Sequence, residues 1–332
     1  MEFNSFHARH PTSPDRLPLM TDASVYRIPV PNPFVEGRTC VYVIAADPVT
    51  LIDSGVATDR AWQVLVDGLK EHGLQASDIK RVILTHKHID HLGNAWRFQR
   101  QSGAEIMIHE SEQAAVSDVD PSGRNFAAAV NERLDEWHVP VEVRSTEVMN
   151  LRPEWTIESA STTPLIDGQR IPHGDGHIEV IHTPGHTMGS ICLRFGRSLF
   201  SGDTLLPDIS PNVGGGDVRH RNLLRHYLAS LARIRNLSAG ADLQVMPGHG
   251  DPMPTFADRC DELIRHHHRR LDQIVAILDR RGSLTVHELA RALFGKMEGF
   301  HVVLGCAEAF AHLELLLEQG RVSQTDGMYS RE

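Results

Sequence analysis

The chain has 332 residues, 41% hydrophobic and 23% charged, an ordinary globular composition in a length that suits a main domain plus an appendage. Its formal net charge of −10 argues against a polyanion as the main partner, because gripping phosphates draws on clustered Lys and Arg. Cys40, Cys192, Cys260 and Cys306 are scattered without a C-x-x-C pair, which argues against a disulfide framework or thiolate zinc site and points to a reducing cytoplasm.

No run approaches the ~18 apolar residues of a membrane span, so no membrane partner is expected. Residues 1–22 have no apolar core of the secretory kind and read as a loose polar arm, with Met20 a candidate start. "TCVYVIAADPVTLIDSG" (39–55) reads as two β-rich runs joined at Asp47-Pro48 and ending in an acidic turn at Asp53. "AWQVLVDGLKEHG" (61–73) has helical spacing stopped by Gly73. "KRVILT" (80–85) suits a buried strand. It runs into "HKHIDH", then a helical "LGNAWRFQRQSG", then a strand at "AEIMIHE" (104–110). That β–α–β order predicts a sheet covered by helices.

Residues 111–160 form an insert with one helical patch, "NFAAAVNERLDEWHV". "HIEVIHTPGHTMGSICLRFGRSLFSGDTLL" (177–206) reads as strand, turn, strand, tight turn and strand, and its "LFSGDT" echoes "TLIDSG" of the first half. A helix at 221–237 and a strand at "DLQVMPGHG" (242–250) follow. From 257 the pattern is helix, helix, helix and a short β-like tail, the order of a winged helix.

The sequence carries 21 histidines, and several fall at strand-end turns. His86, His88, Asp90 and His91 crowd one turn; imidazole with carboxylate suits zinc, iron or manganese. "HTPGHT" presents His186 on a Pro-Gly turn, with His182 in the preceding strand as a structural or supporting residue. "SGDT" places Asp203 at a strand end, where two carboxylate oxygens can bridge two cations. "PGHG" presents His249.

This set of motifs resembles the metallo-β-lactamase superfamily over roughly residues 25–255. The resemblance implies an α/β fold, an αββα sandwich over 23–256, followed here by a helical winged-helix-like domain over 257–332. It implies that His86, His88 and His186 hold one metal, that Asp90, His91 and His249 hold a second, and that Asp203 bridges both. Asp53 matches an acid that supports the ligands. Two Zn2+ are expected, with iron or manganese as alternatives. A metal-bridging hydroxide is then the nucleophile, and Asp90 the proton shuttle.

Flavin-linked di-iron relatives carry Glu where His88 stands, so oxygen reduction is the remoter alternative. The "SGDTLLPDISPNVG" stretch and helical tail resemble a subgroup that includes glyoxalase II, a lactamase-like endoribonuclease and hydrolytic dehalogenases. The expected substrate is a small thioester, ester, lactone or aryl halide, with an RNA phosphodiester as the alternative. The Gly-rich turn 206–220, mobile by composition, offers Asn212, Arg219 and His220 as substrate contacts, and the insert offers Trp137 and Phe126 as a wall or lid. "IRHHHRR" (264–270) reads as a solvated basic face. The apolar, acidic third helix lacks a DNA-binding face. The tail is expected to pack on the core or on a second subunit of a homodimer.

Overall fold

A computed structural model describes residues 16–17, 24–34, 37–120, 124–144, 157–214, 217–239 and 242–332. Two sheets lie face to face. The first has seven strands in chain order: β1 (Arg16–Leu17), β2 (Val25–Pro31), β3 (Arg38–Ile44), β4 (Thr50–Ile52), β5 (Arg81–Ile83), β6 (Glu105–His109) and β7 (Thr162–Leu165). The second has five, in the order β12 (Gln244–Pro247), β11 (Ser198–Gly202), β10 (Ile191–Phe195), β9 (Gly176–His182) and β8 (Arg170–His173). The expected hairpin is β3–β4, antiparallel, with Tyr42 opposite Ile52.

Side-chain alternation along the strands divides the core into layers. In β3, Cys40, Tyr42 and Ile44 point between the sheets, where they meet Val180, Ile191, Leu193, Phe200 and Met246 of the second sheet. Val41 and Val43 point the other way. They pack with Leu65 and Leu69 of helix α1 (Asp59–Glu71) and Phe98 of α3 (Ala95–Ser102). In β10, Ile191 and Leu193 face the sheet–sheet layer, whereas Cys192 faces the outer core built on α6 (Leu223–Leu237). Helix, sheet, sheet and helix layers follow. All four cysteines are buried and free.

The order α7 (Ala257–Arg281), α8 (Val286–Phe294), α9 (Phe300–Glu318), β13 (Val322–Thr325), β14 (Met328–Arg331) completes the chain. These helices share one continuous hydrophobic core with α6 and with α5 (Arg124–Glu136) of the insert. Contrary to the expectation from composition, α9 is long and apolar enough to cross a membrane by those measures alone, yet 67% of its apolar window is buried in the fold. Its apolarity serves packing among α6, α7 and α8. Arg16–Leu17 of the expected loose arm pair with β2; the rest of residues 1–23, and 145–156 of the insert, lie outside the described residues.

Two parallel pairs set the geometry of one edge. β4 and β5 run parallel, as do β11 and β12. Asp53 and His86 therefore emerge from neighbouring strand ends in one sheet, and Asp203 and His249 from neighbouring strand ends in the other.

Candidate metal centre

The turn after β5 carries Leu84, Thr85 and His86 and enters the short helix α2 (Ile89–Leu92). One helical step places Asp90 and His91 on α2, while His86 and His88 precede it. The turn after β9 brings His186 alongside; the ends of β11 and β12 add Asp203 and His249. Two groups result, each with ligand atoms within 4.8 Å of one another: His86, His88, His186 and Asp203, and Asp90, His91 and His249.

Two motif glycines are dictated by this convergence. Gly202 has φ +47°, and a Cβ there would lie 2.6 Å from Thr85 Oγ1. A Cβ on Gly248 would collide with Asp203 Oδ1. A side chain at 202 displaces Thr85, the acceptor for His86 Nδ1–H, and one at 248 displaces Asp203 itself.

Four of the five imidazoles are anchored on their outward nitrogen. Asp53 Oδ1 accepts from the Thr85 N–H at 2.8 Å, and its Oδ2 accepts from the Thr85 hydroxyl at 2.9 Å. Having donated to Asp53, the Thr85 oxygen accepts from His86 Nδ1–H at 3.0 Å. His91 Nδ1–H donates to Asp53 Oδ2 at 2.8 Å. His186 Nδ1–H donates to the Asn212 carbonyl at 2.8 Å, and His249 Nδ1–H to the Arg38 carbonyl at 2.6 Å. Four Nε2 lone pairs are thereby turned inward. His88 is reversed: Nδ1 faces in, and buried Nε2 has no partner among the described residues.

The inward atoms crowd. His88 Nδ1 lies 3.0 Å from His86 Nε2 and 2.9 Å from His186 Nε2. His91 and His249 Nε2 are 3.3 Å apart. Asp203 joins the groups: its Oδ2 is 3.6 Å from His186 Nε2 and 3.3 Å from His249 Nε2, and its Oδ1 is 3.5 Å from His91 Nε2. Lone pairs facing one another repel unless a cation sits between them. The edge of a tetrahedron with metal–nitrogen bonds of 2.0–2.1 Å is roughly 3.3 Å, close to these spacings. The residues fit a pair of cations.

The electrostatics divide the site. Burial, reinforced by neighbouring imidazoles, holds His86 and His88 well below the usual histidine range, and burial lowers His186, so all three stay in the neutral form that ligates. At His91 and His249 burial also pushes down, but the carboxylates outweigh it. Asp90, Asp203 and Asp53 raise His91 well above its ordinary value, and Asp203 and Asp90 raise His249 to about 9. Burial acts against the Asp203 carboxylate, yet His249 and His91 hold it well below the usual carboxylate range. A positive charge is favoured where the carboxylates meet.

The sequence model of the family described as the metallo-beta-lactamase superfamily matches residues 34–249. The chain belongs to the metallo-beta-lactamase superfamily. It is 30% identical to the metallo-beta-lactamase family protein TTHA1429 of Thermus thermophilus, with a TM-score of 0.78 over 93% of this chain and 98% of that one. It is 28% identical over 309 residues to the protein named Probable metallo-hydrolase YqjP of Bacillus subtilis (strain 168), covering 90% of this chain and 93% of the relative. It is 31% identical over 180 residues to Acyl-coenzyme A thioesterase MBLAC2 of Gallus gallus, spanning 50% of this chain and 55% of that protein.

Around this superfamily centre, several expected contacts have other places. Trp137 is 1% exposed and packs on Phe310 of α9 with ring centroids 5.8 Å apart. It joins insert to tail instead of forming a wall, and Phe126 packs on the same core. Asn212 turns its side chain towards the Leu304 carbonyl of α9 at 3.3 Å and serves His186 through its backbone. Arg219 is exposed and donates to the Asn125 carbonyl at 2.8 Å. His220 is held by Asp217 through Nδ1, at 2.6 Å. His182 Nε2–H donates to the Met188 carbonyl at 2.8 Å, and its ring stacks on His109. It braces the turn that carries His186. The turn 206–220 is held more firmly than its glycines imply: Val213 and Val218 are buried in the outer core, while 215–216 lie outside the described residues.

Other residues at the site gave no separate signal. Asp90 Oδ2 accepts from the Thr39 hydroxyl at 2.9 Å and lies 3.4 Å from Asn32 Nδ2, both on or beside strands of the first sheet. Asp217, buried, takes Lys87 Nζ at 2.6 Å and the Met188 N–H at 2.8 Å, tying the first motif to the His186 turn. Buried Glu112 accepts from the Gly189 N–H at 3.0 Å. In the "IRHHHRR" cluster His267 is fully buried, whereas Arg265, His268 and Arg269 are exposed, so only part of that stretch is a solvated face.

Proposed function

We propose that the protein is a dinuclear zinc hydrolase acting on a small electrophilic substrate, a thioester first, ahead of an ester, a lactone or an aryl halide. The observation that carries this reading is the convergence of five imidazoles and two carboxylates at one edge of the two-sheet sandwich, with Asp203 reaching both groups. His86, His88 and His186 would hold one cation, Asp90, His91 and His249 the other. Imidazole and carboxylate ligands suit zinc, with iron or manganese as alternatives. Two such cations supply Lewis acidity and activate water near neutral pH.

The chain's own residues do the rest. Asp53 keeps His91 in the tautomer that offers Nε2. Thr39, donating to Asp90 Oδ2, leaves Oδ1 to receive the proton released from the attacking water and pass it to the departing thiolate or alkoxide. Within half the chain, similarity to a thioesterase supports the acyl reading. We read residues 23–256 as the catalytic domain and 257–332 as a winged-helix-like domain packed against it, in a cytoplasmic homodimer.

Purified protein loaded with zinc should bind about two equivalents and hydrolyse an acyl-coenzyme A thioester or a lactone in a panel that also holds a bis-aryl phosphodiester, a chloroaromatic and RNA. RNA cleavage with no acyl hydrolysis would overturn the substrate assignment.

A further inference from the structure

The helical tail reaches the metal centre through one buried carboxylate. Glu308 sits mid-way along α9, 8% exposed, between Ala307 and Ala309. A carboxylate is costly to bury without partners. Glu308 Oε2 accepts from the Val213 N–H at 3.0 Å and lies 3.5 Å from Asn212 Nδ2. Asn212 Nδ2 also donates to the Leu304 carbonyl, one turn earlier in α9. Two adjacent residues of the turn after Asp203 are thus clamped to the tail. The other side of the same pair faces the site: the Asn212 carbonyl is the acceptor for His186 Nδ1–H at 2.8 Å. His186 Nε2 in turn faces His88 Nδ1 and Asp203 Oδ2.

We propose that Glu308 is a positioning residue for the His86/His88/His186 cation, fixing through Asn212–Val213 the carbonyl that aims His186. The inference rests on the two-metal reading above. It makes the tail part of the metal centre, and it explains why an acidic residue occupies an apolar helix face where alanine or leucine would pack more cheaply. Glu308 Oε1 lies 3.9 Å from ring nitrogens of His267 and His312, so the carboxylate is fenced on its far side as well.

The test is zinc affinity of the full-length protein, read by competition with a chromophoric chelator that resolves the two equivalents. Glu308→Ala is expected to weaken one equivalent by ~10–100-fold and leave the other unchanged, as loss of an outer partner of a ligand does. Glu308→Gln, which keeps an oxygen for the Val213 N–H, should restore wild-type affinity. General destabilisation would instead weaken both equivalents together, and that outcome would overturn the proposal. A folded Glu308→Ala protein with both affinities at wild-type values would do the same. If that variant does not fold, Glu308→Asp decides, because its shorter chain withdraws the oxygen from Val213; unchanged affinity there is equally fatal. Wild-type protein that binds no zinc would sink the two-metal reading and this inference with it.

Discussion

At the sheet edge four imidazoles turn their far nitrogens outward onto fixed acceptors and, with His88, leave lone pairs converging on carboxylates. Between α7 and α9, His267, Glu308 and His312 form a second buried cluster with the same residue types and a different plan. There His312 Nδ1–H donates to the Glu308 carbonyl at 2.7 Å, so its Nε2 accepts, and His267 Nδ1–H supplies the proton at 3.1 Å. One proton satisfies that contact. At the sheet edge no proton count does, since His88 Nδ1 meets two inward nitrogens at once. Composition alone would call both clusters metal sites; the direction of each lone pair separates them.

The contrast between the clusters is tested most severely at Asp203. Asp203→Ala should cost at least about a thousandfold in turnover, the scale of removing a cation that stabilises charge in the transition state, and should lower bound zinc in metal analysis. Gly248→Ala should approach that loss, because its Cβ occupies the place of Asp203 Oδ1; near-normal metal content would show that the strand end can yield. Asp53→Asn keeps the shape but weakens the hold on His91 Nδ1–H, with an expected ~10–100-fold fall in zinc affinity, measured by chelator competition.

At the second cluster the expected effects are smaller and of another kind. His312→Leu should leave zinc binding at two equivalents and shift stability by about 1–3 kcal/mol in denaturant unfolding, since it strands the His267 proton in an apolar core. Loss of a zinc equivalent would erase the distinction between the clusters. Acid stability probes the same cluster in a second way. Burial pushes His267 down to about 2 and His312 to about 3. In the unfolded chain both take up protons at about pH 6.5, whereas the folded protein resists until far lower pH. The unfolded state therefore binds more protons throughout that interval, and stability should fall as pH drops below about 6.5, as followed by α-helical circular dichroism of the metal-free protein. His312→Leu should flatten that slope.

Much of the fold is legible in the sequence. The hairpin β3–β4, strand β5, helix α3 and strand β6, the strands around His186 and Asp203 and the helices from α6 onward carry period-two or helical spacing with Gly stops, and local chemistry fixes these. Strand β2 and the short strands β7 and β8 gave less, because their spacing is broken by Pro29, Pro164 and Pro172 and their pairing comes from distant partners. The seven metal-facing residues stood out because their motifs recur at strand ends. Thr39, Asp217 and Glu112 did not, since a buried hydrogen-bonding residue in a strand or turn looks in sequence like any polar one.

Which side chains can ligate, and that each stands where a strand ends, followed from the amino-acid order alone, because turn chemistry and strand periodicity are local. The direction of each imidazole, the burial of Trp137 and His267 in the core, and the reach of α9 to the site through Glu308 were settled by folding. Those depend on contacts between residues far apart in the chain, such as Val213 with Glu308, and no local pattern encodes the direction of a lone pair.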